Sequence, residues 1–140
     1  MSRSRSYLAG NSAASIPLLT ASLLAAGYET PTVTPGIRVS DIGRAAPDIL
    51  VLDIDEAETD PFELLRRMRF VLPACIIAVY SATMRRAWAR SCHLAGANCL
   101  VAKSSDGPRL VTGLKAAFAT GCYTDPRFSH AARAPERPHS

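Results

Sequence analysis

Three polar residues of this 140-residue chain each stand at the end of an apolar segment. Asp53 ends one aliphatic run, Ser81 follows a second and Lys103 follows a third. In a parallel sheet the carboxyl ends of neighbouring strands meet at one rim, so a carboxylate, a hydroxyl and an ammonium group would converge there. One carboxylate after an aliphatic run is often only a strand end. Three polar residues after three successive strands predict a functional site.

The segments that would position these residues alternate between strand and helix patterns. Continuous aliphatic runs are typical of parallel strands covered on both faces, and helical spacing of leucines follows them. Strands are predicted at residues 7–9, 28–34, 48–54, 75–80 and 99–102. Helices are predicted at residues 15–26, 39–45, 60–68, 83–94 and 106–119. The fold class is therefore α/β, with a five-stranded parallel sheet, doubly wound, and helices on both faces.

The composition is that of one globular domain, with 48% hydrophobic and 20% charged residues. We expect a flexible N-terminus at residues 1–6, one domain at residues 7–122, and a disordered tail or linker remnant at residues 123–140. No apolar run reaches the roughly 18 residues of a membrane span. No signal peptide is recognisable, so a cytoplasmic location is expected.

The net charge of +4 comes from the two ends of the chain, because residues 7–126 carry equal numbers of acidic and basic residues. The domain itself is therefore not expected to bind nucleic acid or a membrane. None of the four cysteines forms a C-x-x-C pair, which predicts reduced, mostly buried thiols and no zinc site. They are Cys75, Cys92, Cys99 and Cys122.

The strand ends resemble the signature segments of response-regulator receiver domains. These segments are residues 47–54 (PDILVLDI), 76–82 (IIAVYSA) and 95–103 (AGANCLVAK). The resemblance covers about residues 7–120 and implies the CheY-like, flavodoxin-like (βα)5 fold. It is closest to receivers of LuxR/NarL-type regulators, because residues 114–128 resemble their exit into a linker.

The resemblance implies a role for each residue at the rim. Asp53 matches the phosphoacceptor, whose carboxylate attacks phosphorus. Ser81 matches the switch hydroxyl that hydrogen-bonds a phosphoryl oxygen, and Lys103 matches the ammonium that pairs with the phosphoryl group. These roles belong to two-component signal transduction, in which a histidine kinase is the phosphodonor. The domain itself is then not an enzyme.

The same resemblance fails at the metal-binding positions. Receiver domains carry an acidic pair after the first strand, which holds Mg²⁺ through oxygen ligands. This chain has Gly10, Asn11 and Ser12 there. Asp55, with Asp53, could replace part of the magnesium site, but no cofactor is expected.

A second departure concerns the residue that changes rotamer in receivers. Leu100 stands at that position, which is usually aromatic. We therefore expect an atypical receiver that works by phosphorylation-independent protein–protein interaction. The alternative is a conventional receiver switched by phosphorylation of Asp53 with magnesium.

Two other interpretations remain open. Residues 51–55 also look like the D-x-D motif of haloacid-dehalogenase-type phosphatases, with Asp53 as nucleophile and Asp55 as acid/base. Against this enzyme, Ala57 stands where that family has Thr or Val, and a β-α-β-α unit precedes Asp53. The other interpretation is a structural domain in which Asp53 and Lys103 persist only as an ion pair.

The predicted fourth helix supplies a candidate partner surface. It carries Arg85, Arg86, Trp88 and Arg90, and Trp and Arg are enriched in binding hot spots. A protein partner or a homodimer is expected at the face of the fourth helix, fifth strand and fifth helix. The alternative is that Trp88 packs into the core and the arginines are only solvated.

Overall fold

The computed structural model describes residues 5–10, 15–57, 59–83, 85–103 and 108–128. The strands are β1 Ser6–Ala9, β2 Thr32–Thr34, β3 Ile49–Asp53, β4 Ile76–Ser81, β5 Cys99–Ala102 and β6 Tyr123–Thr124. The helices are α1 Ser15–Ala25, α2 Val39–Ala45, α3 Pro61–Val71, α4 Arg86–Ala95 and α5 Pro108–Thr120. A short 3₁₀ turn, Ile54–Glu56, follows β3.

All pairs in the sheet are parallel, in the order β2-β1-β3-β4-β5-β6. The predicted α/β class is confirmed, but the sheet formed by the described residues has six strands and not five. The sixth strand forms because α5 ends at Thr120 and the next residue, Gly121, turns the chain back along β5 with a φ of +95°. The Tyr123 N–H then donates to the Asn98 carbonyl at 2.8 Å.

Helices cover both faces of the sheet, which accounts for the uninterrupted aliphatic runs in its central strands. Alternate residues of β3 point to opposite sides: Leu50 and Leu52 pack with α2, α3 and α4, whereas Ile49 and Val51 pack with α1 and α5. Alternation of Cβ directions along a strand requires this separation. The rim at the carboxyl ends of β3, β4 and β5 is therefore held between two packed layers.

Two helices differ in detail from the sequence prediction. α4 begins at Arg86 and not at residue 83, and Leu94 near its end is 82% exposed. The sequence predicts Leu110, Leu114 and Phe118 on one apolar face of α5, but the structure buries Leu110, Leu114 and Ala117 there, and Phe118 is half exposed. By contrast, the predicted start of α3 is confirmed, because the Asp60 carboxylate caps the helix by accepting the Phe62 N–H at 3.0 Å.

The amino-terminal edge of the sheet is tied together by Arg69 of α3. Its guanidinium donates to the carbonyls of Leu72, Pro73, Cys75 and Gly96 and to the Asn98 side chain, at 2.6 to 3.2 Å. One guanidinium therefore provides hydrogen bonds to carbonyls of the α3–β4 and α4–β5 connections. This edge lies opposite the polar rim.

The cysteines are as the sequence predicts for small apolar residues. Cys75, Cys92 and Cys99 are buried, and burial raises the pKa of each thiol to about 12. Cys122 is exposed. In the described part of the chain, no helix is long and apolar enough to cross a membrane.

The packed domain extends beyond the predicted boundary at residue 122. Residues 123–128 form β6 and one helical turn, and Phe128 is completely buried. The sequence places this segment in the tail because it contains Arg and Pro, whereas Phe128 packs into the core. Residues 1–4 of the predicted flexible N-terminus and residues 129–140 of the predicted tail lie outside the described residues.

Candidate functional site

The structure brings the three predicted rim residues together. Asp53 ends β3 and Ser81 ends β4, and Lys103 follows β5 directly. The strand registers align these ends, and the Lys103 N–H donates to the Ser81 carbonyl at 2.8 Å. The ends of β3, β4 and β5 therefore place a carboxylate, a hydroxyl and an ammonium group on one rim, and the Lys103 ammonium contacts Asp53 directly.

Asp53 and Lys103 form a largely buried ion pair. The Lys103 Nζ lies 2.7 Å from Oδ1 of Asp53, and Asp53 is only 5% exposed. Within the described part of the chain, Oδ2 of Asp53 has no hydrogen-bond partner and Oδ1 meets only this ammonium. A buried carboxylate with so few donors depends strongly on its one cation.

Asp55 joins the same cluster from the turn after β3. The 3₁₀ turn Ile54–Glu56 brings its carboxylate over the end of β4. There Oδ1 accepts the Ser81 hydroxyl at 2.7 Å and Oδ2 accepts the Ala82 N–H at 2.8 Å. The Lys103 Nζ lies 3.1 Å from Oδ2, so one ammonium bridges two carboxylates.

The electrostatics of the cluster favour charged forms of both partners. Partial burial alone would raise the pKa of Asp55, but the Ala82 N–H, the Ser81 hydroxyl and the Lys103 ammonium together lower it. Burial alone would likewise lower the pKa of Lys103, but the hydrogen bonds and negative charges of Asp53 and Asp55 raise it. Ionised Asp55 and protonated Lys103 therefore stabilise each other.

Gly10 lies against Asp53 with no space for a side chain. It follows β1 directly with φ of +151°, and its N–H donates to the Thr34 carbonyl at 3.1 Å. A Cβ built on Gly10 would overlap the Cβ of Asp53. A carboxylate therefore cannot be accommodated at residue 10 in this backbone. Asn11 and Ser12, the other two predicted positions of the missing acidic pair, lie outside the described residues.

Magnesium requires oxygen ligands, and most carboxylate oxygens of the described rim are already engaged. Gly10 offers no ligand, and both oxygens of Asp55 already accept hydrogen bonds and the Lys103 charge. Across the described ranges no group of three or more metal-binding side chains occurs. The suggested pairing of Asp53 with Asp55 would leave Mg²⁺ with two carboxylates that face a lysine, which is a poor substitute for oxygen ligands alone.

Leu100 occupies the position at which receivers usually carry an aromatic residue. It lies in β5, is completely buried, and belongs to the core on the α2, α3 and α4 side of the sheet. An aliphatic side chain held there by packing has no polar end to exchange between a buried and an exposed state.

The candidate partner surface on α4 divides into two parts. Arg85, Arg86 and Arg90 are exposed. Trp88 is half-buried: its ring stacks on Phe128 at a centroid distance of 6.3 Å and 16°, and a tilted contact at 6.3 Å joins it to Phe62. Trp88 is therefore part of the packing that holds the C-terminal turn, while the arginines form the exposed surface.

The sequence prediction missed how Asp55 is bound. The sequence predicts Asp55 only as a metal ligand or an acid/base, because a backbone donor such as the Ala82 N–H leaves no mark on a sequence. A usable signal existed in the spacing, because a carboxylate two residues beyond a strand end can turn back over the same rim. The packing of Trp88 against Phe128 was indicated even more weakly, by the presence of the aromatic residue Phe128 near the C-terminus.

Solved structures of receivers share this fold. A LuxR-family two-component response regulator from a species of Aurantimonas is 25% identical, with 97% of this chain and 99% of that chain covered and a TM-score of 0.73. A response regulator from Thermotoga maritima is 19% identical over 85% and 100%, with a TM-score of 0.74. The isolated REC domain of RcsB from Salmonella enterica serovar Typhimurium, solved with phosphomimetic BeF₃⁻, is 13% identical over 92% and 98%, with a TM-score of 0.76. No protein-family model and no curated protein sequence matches the chain.

The strand order, the polar rim and these neighbours define one class of protein. The chain has the CheY-like receiver fold of two-component response regulators, and its similarity includes a regulator of the LuxR family.

Proposed function

We propose that this chain is an atypical receiver domain that acts in two-component-type signalling through protein contacts and without phosphorylation of Asp53. It is a binding module of the cytoplasm and not an enzyme. Its partner is a second protein or a second copy of the chain, bound at the exposed arginines of α4.

The observation that carries this proposal is the close approach of Gly10 to Asp53. Phosphoryl transfer onto a carboxylate gathers negative charge, which a metal ion must help to offset. The backbone at residue 10 leaves no room for an acidic ligand beside Asp53. The sequence also has no carboxylate at residues 11 and 12. Among the described residues of the rim, Lys103 is then the one cation that has to balance Asp53, Asp55 and an incoming phosphoryl group.

The test is intact-protein mass spectrometry of the full chain after incubation with Mg²⁺ and acetyl phosphate. A receiver that retains its acidic pair serves as the positive control, and Asp53→Asn as the matched variant. We expect no phosphoryl adduct on this chain under conditions that label the positive control. A Mg²⁺-dependent adduct that Asp53→Asn abolishes would contradict the proposal and favour the conventional phosphoacceptor, with a histidine kinase as its partner.

A further inference from the structure

Three donors at the rim converge on one carboxylate. The Ser81 hydroxyl, the Ala82 N–H and the Lys103 ammonium all reach Asp55, at 2.7, 2.8 and 3.1 Å. We name this group of donors the oxyanion cradle. A hydroxyl, a backbone N–H and an ammonium aimed at one point are the donor set that stabilises an oxyanion.

The cradle is fully engaged by Asp55. Both carboxylate oxygens are used, and the Ser81 hydroxyl, which donates to Asp55, also accepts the Thr83 N–H at 2.9 Å. The side chain of Asp55 is 27% exposed, so it closes the cradle towards solvent. An external oxyanion would have to displace a covalently tethered carboxylate and would meet Asp53 beside it.

We propose that Asp55 is the resident ligand of this cradle and replaces the phosphoryl group there. Its carboxylate makes the contacts to Ser81 and Lys103 that the receiver resemblance assigns to a phosphoryl oxygen. This holds the end of β4 and residues 81–83 in one arrangement. Those residues lead into α4, so the surface with the exposed arginines is held without any modification of Asp53.

The inference deepens the proposed function, because an occupied cradle explains why no phosphoryl group is needed. It rests on different atoms from the Gly10 argument. The experiment on Asp55 uses no phosphodonor and no magnesium, so a negative result there would not change the outcome of mass spectrometry on Asp53. Likewise, a phosphoryl adduct on Asp53 would not change the hydrogen bonds measured at Asp55.

The experiment is amide NMR of the full chain, with Ala82 and Thr83 as reporters. In Asp55→Ala we expect both resonances to move and the Ala82 amide to exchange with solvent roughly tenfold faster or more, because a hydrogen bond to a charged acceptor is lost. Formate should reverse both changes by entering the vacated site, whereas chloride at equal ionic strength should not. Wild-type resonances should not respond to formate.

Two variants make the result interpretable. Asp41→Ala removes an exposed carboxylate on α2, whose Arg44 partner lies 3.8 Å away, and it should leave Ala82 and Thr83 unchanged. Asp55→Asn keeps the shape and one acceptor oxygen, so it should give a smaller change in the same direction, and it serves if Asp55→Ala does not fold. Unchanged reporters in the Asp55 variants, wild-type reporters that respond to formate, or exchange in Asp55→Ala that formate cannot slow would each overturn the proposal.

Discussion

At the scale of single residues, the rim is governed by an imbalance of charge. Lys103 is the cation in contact with both Asp53 and Asp55, so two carboxylates share one ammonium. Asp55 also has a hydroxyl and an N–H donor, whereas Asp53 has no further hydrogen-bond partner among the described residues. Loss of Lys103 therefore affects Asp53 most, because it would leave a buried charge without any compensation.

Replacing Lys103 by Met should destabilise the domain by about 3–5 kcal/mol, the range for breaking a buried ion pair from one side. The free energy of unfolding from urea titration at pH 7 measures this. Lys115→Met is the matched control: Lys115 is exposed on α5, so its replacement should cost less than about 0.5 kcal/mol.

A second variant tests the cause of that loss. Adding Asp53→Asn to Lys103→Met removes the uncompensated charge, so the double variant should be more stable than Lys103→Met alone. If Lys103→Met costs under about 1 kcal/mol, or if Asp53→Asn makes it worse, the pair is screened by solvent and contributes little.

The residue scale is also where sequence reasoning succeeds in part. Asp53, Ser81 and Lys103 were predictable because each ends an apolar strand and parallel strands share a rim. The hydrogen bond from the Ala82 N–H to Asp55 was not predictable, since it depends on a backbone donor and on the 3₁₀ turn after β3. The overlap at Gly10 was not predictable either, because a missing side chain indicates that a residue is small and does not indicate what lies beside it.

At the scale of elements, α4 connects the rim to the exposed surface. It starts a few residues after the cradle, and its N-terminal arginines face solvent. Trp88 anchors the helix instead of extending that surface, since its ring is stacked on Phe128. The arginines alone therefore carry the proposed interaction of this helix.

Reversing two of these charges, with Arg85→Glu and Arg86→Glu together, should weaken association with the partner or with a second copy roughly tenfold or more. Sedimentation analysis and pull-down with the tagged chain measure this. The stability of the fold should change little, because both side chains are exposed.

Arg66→Glu with Arg67→Glu gives the control, since these exposed arginines lie on the neighbouring helix α3. An identical oligomeric state and identical captured proteins for the wild type and the α4 variant would end the assignment of this surface.

Element prediction from the sequence worked where periodicity decides and failed where tertiary contacts decide. The aliphatic run of β3 and the Asp60-Pro61 start of α3 have local causes, so both were predictable. The role of Arg69 was not, because its acceptors are carbonyls from connections on either side of β4. The one indication of this role in the sequence was that Arg69, a basic residue, stands close to the apolar Leu65 and Met68.

At the scale of the whole molecule, the C-terminal segment completes the domain. β6 pairs with β5, and the following turn inserts Phe128 beneath Trp88. The Asp125 carboxylate links the C-terminal turn to β5. Its Oδ2 accepts the Ala102 N–H and its Oδ1 accepts the Arg127 N–H, each at 3.0 Å. Residues 123–128 are thus part of the core and of the sheet.

Phe128→Ala should lower the free energy of unfolding by about 3–5 kcal/mol, as expected for removal of a fully buried aromatic ring. Urea titration followed by fluorescence of Trp88, the single tryptophan of the chain, measures this. The emission of the folded variant should also shift to longer wavelength, because the indole loses its stacked neighbour.

Phe70→Ala is the control, since Phe70 is 85% exposed and its loss should change stability by less than about 0.5 kcal/mol. Equal effects of the two substitutions would mean that the C-terminal turn is not bound in solution.

The pairing of β5 with β6 also decides where this domain can be cut or joined to another protein. A parallel strand with no neighbour presents free N–H and C=O groups that readily pair with another chain, and this is a common route to aggregation and domain exchange. A chain shortened to residue 122 would expose that edge together with the apolar ring of Trp88. A fusion or a truncation that keeps the domain monodisperse should therefore begin after Phe128.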